Sequence, residues 1–224
     1  IRDRLSEALG VPAILENDAN AATFGEHLCG SARGQDNVIM LTLGTGLGSG
    51  ILVGGEVLHG AHEIGAEMGH VIVQAGGRPC GCGQRGCLEQ YTTSRFIARE
   101  AQRRIEAGGR SSLAGVRAEG GEITAWEIEQ AARVGDALAA SVWDEAMYYL
   151  AVGCVTFCRV FDPDAILLAG GMSNAGDFLM EPLQRYVAQE RWDLLEPRTE
   201  IKFAALGEDA GFIGAAVAAP GGLR

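Results

Sequence analysis

Three thiols fall within eight residues of this chain: Cys80, Cys82 and Cys87, in the stretch CGCGQRGCLEQ. Thiolates are soft ligands suited to zinc, and a closed structural zinc site takes four donors in a tetrahedron. His70, ten residues before Cys80, supplies an imidazole, so His70, Cys80, Cys82 and Cys87 make a complete Cys3His set. An imidazole bound to zinc keeps its second ring nitrogen for a hydrogen bond to a substrate. Glu89, two residues past the last of the three cysteines, would be fixed by the same knot. Cys29, Cys154 and Cys158 lie far off; the last two are four residues apart on an apolar stretch and read as buried packing.

Two more stretches carry groups suited to chemistry. ENDANAA puts Asn17 and Asp18 at the start of an alanine-rich helix. One reading is helix capping by either side chain. The other is a carboxylate that takes the proton from an attacking hydroxyl, as phosphoryl transfer requires, with its neighbour bonded to the same substrate. LGTGLGSG has glycines at 44, 46, 48 and 50, which fits neither the dinucleotide fingerprint nor the lysine-bearing phosphate loop. It reads as a hairpin turn whose exposed N–H groups could cradle phosphates, or as a glycine turn with a bulge and no ligand. Between these stretches and the cysteines, EIGAEMGH offers Glu63, Glu67 and His70.

The elements that must position these groups follow from periodicity. Residues 1 to 9 read as a helix end, Val11 to Leu15 as a short strand, and Asp18 to Leu28 as a helix. VIMLTLGTGLGSGILVGGEV is a hairpin of two apolar, β-branched runs. Helices are predicted from Ser94 to about Ala107, from a Thr124–Glu127 capping box to near Gly135, over roughly Asp136 to Val160, and near Phe178 to Glu190. DAILLAGG and TEIKFAAL are strands, and DAGFIGAAVAA a closing small-residue helix. Strands first and then alternating helices and strands mean a mixed α/β fold.

Composition bounds the rest. The chain has 224 residues, 47% of them hydrophobic, and a net charge of −11 with Lys202 as its single lysine. That is enough apolar content for a buried core. It leaves no basic patch for a phosphate backbone, so no nucleic acid is expected to bind this segment. No apolar run reaches membrane length and no leader pattern is present, so a cytoplasmic protein with reduced cysteines is expected.

Taken together, ENDANAA, LGTGLGSG, GAEMGH (65–70), CGCGQRGCLE (80–89) and LLAGG (167–171) resemble the ROK family of sugar kinases and sugar-responsive repressors, and its bacterial glucokinases most closely. The resemblance implies an α/β actin-like ATPase, hexokinase-type (ribonuclease H-like) fold of two lobes, with sugar and ATP in the cleft between them. It implies Asp18 as general base toward the sugar 6-hydroxyl, and Asn17, Glu67, His70 and Glu89 as sugar ligands. Gly44, Thr45 and Gly46 correspond to a phosphate loop, Gly170 and Gly171 to adenosine-side glycines, and His70, Cys80, Cys82 and Cys87 to zinc ligands. Cofactors are then ATP, Mg2+ and a structural Zn2+, and a homodimer is expected.

Family members open with an Asp-x-Gly-Gly-Thr loop in a lobe of roughly a hundred residues, whereas sixteen residues precede Asn17 here. The expectation is a chain lacking most of its first lobe. Residues 1–35 would be its remnant, 36–206 the second lobe, and 207–224 a closing helix that returns to the first. The leading functional reading is an ATP-dependent glucokinase. The alternatives are the sugar-sensing module of a ROK repressor, or a kinase for N-acetylmannosamine, N-acetylglucosamine or fructose.

Overall fold

Strict alternation along Val38–Leu43 sets the centre of the molecule. In the computed structural model, which describes residues 1–118, 120–192 and 198–217, this stretch is strand β1. Successive side chains of a strand point to opposite faces. Ile39, Leu41 and Leu43 accordingly enter one apolar cluster, and Val38 and Met40 another. Strand β2 (Leu47–Val53) returns antiparallel with Leu43 opposite Leu47, and β3 (Glu56–Val57) extends it. On the other side β4 (Ala165–Ala169) and β5 (Glu200–Phe203) run parallel, giving the order β3-β2-β1-β4-β5. β4 is buried on both faces and reads AILLA without a polar residue, as a central parallel strand should.

Nine helices occur among the described residues. They are α1 (Arg2–Leu9), α2 (Asp18–Cys29), α3 (Glu89–Thr92), α4 (Ser94–Glu106), α5 (Leu113–Ala118), α6 (Ala125–Arg133), α7 (Ala137–Phe161), α8 (Asp177–Glu190) and α9 (Ala210–Val217). The odd face of β1 is covered by a thick layer that includes Ile97 of α4, Ile128 of α6, Met147 and Leu150 of α7, and Leu183 of α8. The even face carries a thin one, made largely by Ala22 and Phe24 of α2 and Ala210 of α9. None of the described helices is long and apolar enough to cross a membrane.

The predicted capping box is formed, with Thr124 and Glu127 bonded reciprocally, and Asp136 caps α7 through the N–H of Ala139. One expectation fails: Val11–Leu15 is not a strand. Val11, Ile14 and Leu15 are exposed, and among the described residues no strand pairs with them to supply the ladder that defines one. The short α3 and α5 have no counterpart in the sequence reading. The last residues of the predicted closing helix, 218 and 219, lie outside the described residues.

Candidate functional site

The N-terminus of α2 is where the polar groups converge. Asn17 caps the helix, its Oδ1 accepting from the N–H of Ala19 at 2.9 Å and of Asn20 at 3.2 Å. Its side-chain amino group is left for other partners, so capping and substrate contact do not compete for one atom. Asp18 follows, exposed, with Oδ1 accepting from the Ala19 N–H at 2.9 Å. A helix advances 100° per residue, so Asn17 and Asp18 look in different directions. Asn17, with Glu16 and Asn20, lines a cleft of about 410 Å³ closed by Ser49, His59, Glu63 and Glu67. Asp18 lines a neighbouring cleft of about 440 Å³, with Thr42, Gly170, Gly171, Ser173 and Gly207.

Loop geometry brings Glu67 to the first cleft. Ala66 and Glu63 have φ of 66° and 57°, a region that costs a residue with a side chain and persists only when its surroundings enforce it. Ser49, buried on β2, does the enforcing: its hydroxyl donates to the Ala66 carbonyl and accepts from the Met68 N–H at 2.9 Å. Across the cleft Glu16 accepts from the Asn17 N–H at 2.8 Å and the Asn20 Nδ2 at 2.9 Å, and lies 2.8 Å from His59 Nε2. Burial opposes its ionisation, but these partners together hold its pKa below the usual carboxylate value.

The four alternating glycines divide into two jobs. Gly44, Thr45 and Gly46 form the three-residue turn between β1 and β2, with the Gly44 N–H donating to the Gly46 carbonyl at 3.1 Å. Ser94 ties this turn to α4, its N–H and hydroxyl both donating to the Gly44 carbonyl. Gly48 and Gly50 lie within β2 instead. A Cβ on Gly50 would sit 2.2 Å from Thr23 Oγ1 and 2.7 Å from the Ala19 carbonyl, so glycine lets α2 lie directly on the strand. Gly170 has φ of 86°, and a Cβ there would meet the Leu43 carbonyl at 2.5 Å. It therefore closes β4 against the end of β1.

The cysteine loop folds as a clasp. Cys80 Sγ lies 3.6 Å from His70 Nδ1, Cys82 Sγ lies 3.7 Å from Cys87 Sγ, and all four donor atoms are within 4.8 Å of one another. Zinc–sulfur and zinc–nitrogen bonds of about 2.3 and 2.05 Å in a tetrahedron give S···S near 3.8 Å and S···N near 3.6 Å. The donor set fits zinc on those edges. Burial pushes the Cys87 thiol up to about 12, and the Gln84 N–H brings Cys82 down to about 7. Without a cation the buried thiol keeps its proton, while a zinc ion would favour the thiolate. Gln90, buried, places Nε2 3.4 Å from both Cys80 Sγ and Glu89 Oε1. Glu89 in turn accepts from the Leu47 N–H at 3.2 Å, so the clasp and the glycine hairpin meet at one carboxylate.

Not all the predicted residues share one cavity. Asn17 and Glu67 line the first cleft, Asp18, Gly170 and Gly171 the second. Glu89 lines a third, of about 420 Å³, with Thr45, Gly46, Arg95 and Arg99. The sequence reading missed Glu16, Asn20, Ser49 and His59 in the first cleft. Glu16 and Asn20 had a signal in lying within the same ENDANAA stretch as Asn17 and Asp18; the other two had none. It also missed the ion cluster under the clasp. Arg78 reaches Glu145 at 2.9 Å and Glu100 at 3.3 Å, and Glu100 also holds Arg103 and Arg104, each at 2.7 Å. Chiefly through Arg103, this holds the Glu100 carboxyl at about 2 despite its burial.

The model of the ROK family matches residues 1–221. A glucokinase of Halalkalibacterium halodurans is 37% identical over 215 residues, 96% of this chain and 65% of that protein. The crystal structure of a ROK family glucokinase from Streptomyces griseus in complex with glucose and AMPPNP superposes with a TM-score of 0.80 at 35% identity, over 97% of this chain and 71% of that one. A ROK family transcriptional regulator, a homologue of the E. coli MLC protein, superposes with a TM-score of 0.84 at 30% identity, over 96% and 53%. The chain thus spans about two thirds of the length of the glucokinases it matches.

Proposed function

The chain belongs to the ROK family, with the mixed α/β actin-like ATPase fold of its hexokinases, and from that premise we propose that it serves an ATP-dependent sugar kinase acting on the 6-hydroxyl of a hexose, glucose first. The observation that carries this reading is the position of Asp18. It lines the cleft edged by glycines and follows directly on Asn17, which lines the cleft of carboxylates and amides. The latter suits the hydroxyls of a sugar. The former lets a nucleotide's phosphates approach the backbone.

In this reading Asp18 takes the proton as the sugar 6-hydroxyl attacks the γ-phosphate of ATP. Asn17, Glu67, His70 and Glu89 bind the remaining hydroxyls and hold the nucleophile in line. The turn Gly44–Gly46 faces the phosphates and Gly170–Gly171 the adenosine. Mg2+, when bound with ATP, neutralises charge on the phosphates. The residues that would hold zinc are His70, Cys80, Cys82 and Cys87, and the ion would do no chemistry on the sugar; it would fix the loop that carries His70 and Glu89. Residues 1–35 and the closing segment from 207, of which 218–224 lie outside the described residues, are proposed to belong to a first lobe and 36–206 to a second. The protein is proposed to be a cytoplasmic homodimer. Its charge of −11 and single lysine support no nucleic-acid contact by this segment.

A coupled ADP-release assay of the full-length protein against glucose, fructose, N-acetylglucosamine and N-acetylmannosamine tests the assignment. Glucose should give the highest kcat/KM, and turnover of none of the four sinks it. The likeness to the transcriptional regulator supports a second reading, a sugar-sensing repressor module. Sugar binding without turnover, together with sugar-dependent DNA binding, would establish that reading instead.

A further inference from the structure

Among the described residues two buried side-chain polar atoms lack a partner, Asn20 Oδ1 and Gln35 Oε1. Gln35 sits in the turn before β1, away from the clefts described above. Asn20, 7% exposed, stands in the wall of the cleft that holds Asn17 and Glu67.

The orientation of the Asn20 amide is fixed by its neighbour. Nδ2 donates to Glu16 Oε1 at 2.9 Å, and Glu16 is itself held by the Asn17 N–H and by His59. A flipped amide would set oxygen against carboxylate oxygen, so Oδ1 is left as an acceptor with nothing to accept. Folded proteins rarely keep such an atom, because an unserved buried acceptor costs about 1–3 kcal/mol. The rest of the lining sharpens what it needs. Glu16, Glu63 and Glu67 only accept when ionised, and the Ser49 hydroxyl is already spent on Ala66 and Met68. With three carboxylates and the Asn20 oxygen against the one free amino group of Asn17, the lining is dominated by acceptors and suits a neutral ligand with several donors, such as a polyol.

We infer that Asn20 Oδ1 accepts a hydrogen bond from one hydroxyl of the bound sugar and so selects for a free donor at that ring position. The inference rests on the sugar-kinase reading above. Asn20 is then a binding residue distinct from Asn17, whose own oxygen is occupied by the helix N-terminus. It discriminates one way: a hydroxyl is accepted, while a deoxy, fluoro or methoxy group leaves Oδ1 buried and unpaired.

The test pairs protein variants with sugar analogues. The full-length protein, Asn20→Leu and Asn20→Asp are assayed with glucose and with its 1-, 2-, 3- and 4-deoxy and deoxyfluoro derivatives, after circular dichroism shows that each variant is folded. The parent should lose about 10- to 100-fold in kcat/KM for the analogue lacking the partner hydroxyl. In Asn20→Leu that one penalty should fall to near unity while the others persist. Asn20→Asp keeps the acceptor and should keep the penalty, although its second carboxylate oxygen, in place of Nδ2, faces Glu16 and should lower thermal stability. KM for ATP should not move in Asn20→Leu. If every analogue penalty is the same in Asn20→Leu as in the parent, Oδ1 serves bound water or nothing and the assignment is overturned. If Asn20→Leu does not fold, loss of the penalty in Asn20→Asp overturns it instead. A parent that phosphorylates no hexose ends the kinase reading and this inference with it, an outcome distinct from a working kinase whose selectivity ignores Asn20.

Discussion

The two halves of the site are held in place by opposite means. On one side α2 and the β1–β2 hairpin meet backbone to backbone, through glycines that leave no room for a methyl group. On the other, residues 70–89 have little regular structure, with one short 3-10 turn at Met68–His70 and two isolated bridges, and hang on four side chains gathered around one point. The first side should fail by gaining atoms, the second by losing them. That difference teaches where each half takes its rigidity: from close packing in one, and in the other from an ion cluster and, as proposed, a zinc ion held by those four side chains.

The largest effect is expected from removing a ligand. Cys87→Ser should lower the zinc content of the purified protein from one per chain toward zero, measured by elemental analysis. It should cost on the order of several kcal/mol in thermal unfolding, because metal binding of this kind is folding free energy. Next, Gly50→Ala puts a methyl group against Thr23 and the Ala19 carbonyl. It should destabilise by about 1–3 kcal/mol in urea unfolding and leave zinc content untouched. Gly44→Ala meets nothing nearer than 3.9 Å and should stay within about 0.5 kcal/mol of the parent. Equal losses for the two glycines would erase the distinction between a packing glycine and a turn glycine.

The ion cluster beneath the clasp gives a subtler test. The Glu100 carboxyl is held at about 2, against an ordinary 4.5, first by Arg103 and then by Arg104 and Arg78. A depressed carboxyl stabilises the fold fully above its unfolded value and loses that contribution as pH falls through the folded one. The stability gap between the parent and Glu100→Gln should therefore be constant above pH 4.5 or so and close on the way down to about 2. A gap independent of pH over that range would mean that Glu100 acts by shape alone.

The clasp was legible in the sequence because its donors fall within 18 residues and thiols have few other uses in a glycine-rich loop. The hairpin was legible because two apolar, β-branched runs on either side of a glycine turn have one common outcome. Asn17 was read as either cap or substrate ligand, and the geometry lets it be both, since the cap takes its oxygen and leaves its amide. Local pattern failed where the partner is distant. The Glu16–His59 pair spans 43 residues and Arg78–Glu145 spans 67, and nothing near either residue announces the other. Val11–Leu15 failed for the same reason, since an apolar stretch does not declare whether a neighbouring strand exists to pair with it.

The central claim is that Asp18, in the glycine-edged cleft beside Asn17, is the base of a phosphoryl transfer. Its most direct test is the turnover of Asp18→Asn in the full-length protein, beside its affinity for glucose by calorimetry. The account predicts a fall in kcat on the order of 10²- to 10⁴-fold, with glucose affinity held close to the parent's. Undiminished turnover in Asp18→Asn would contradict it.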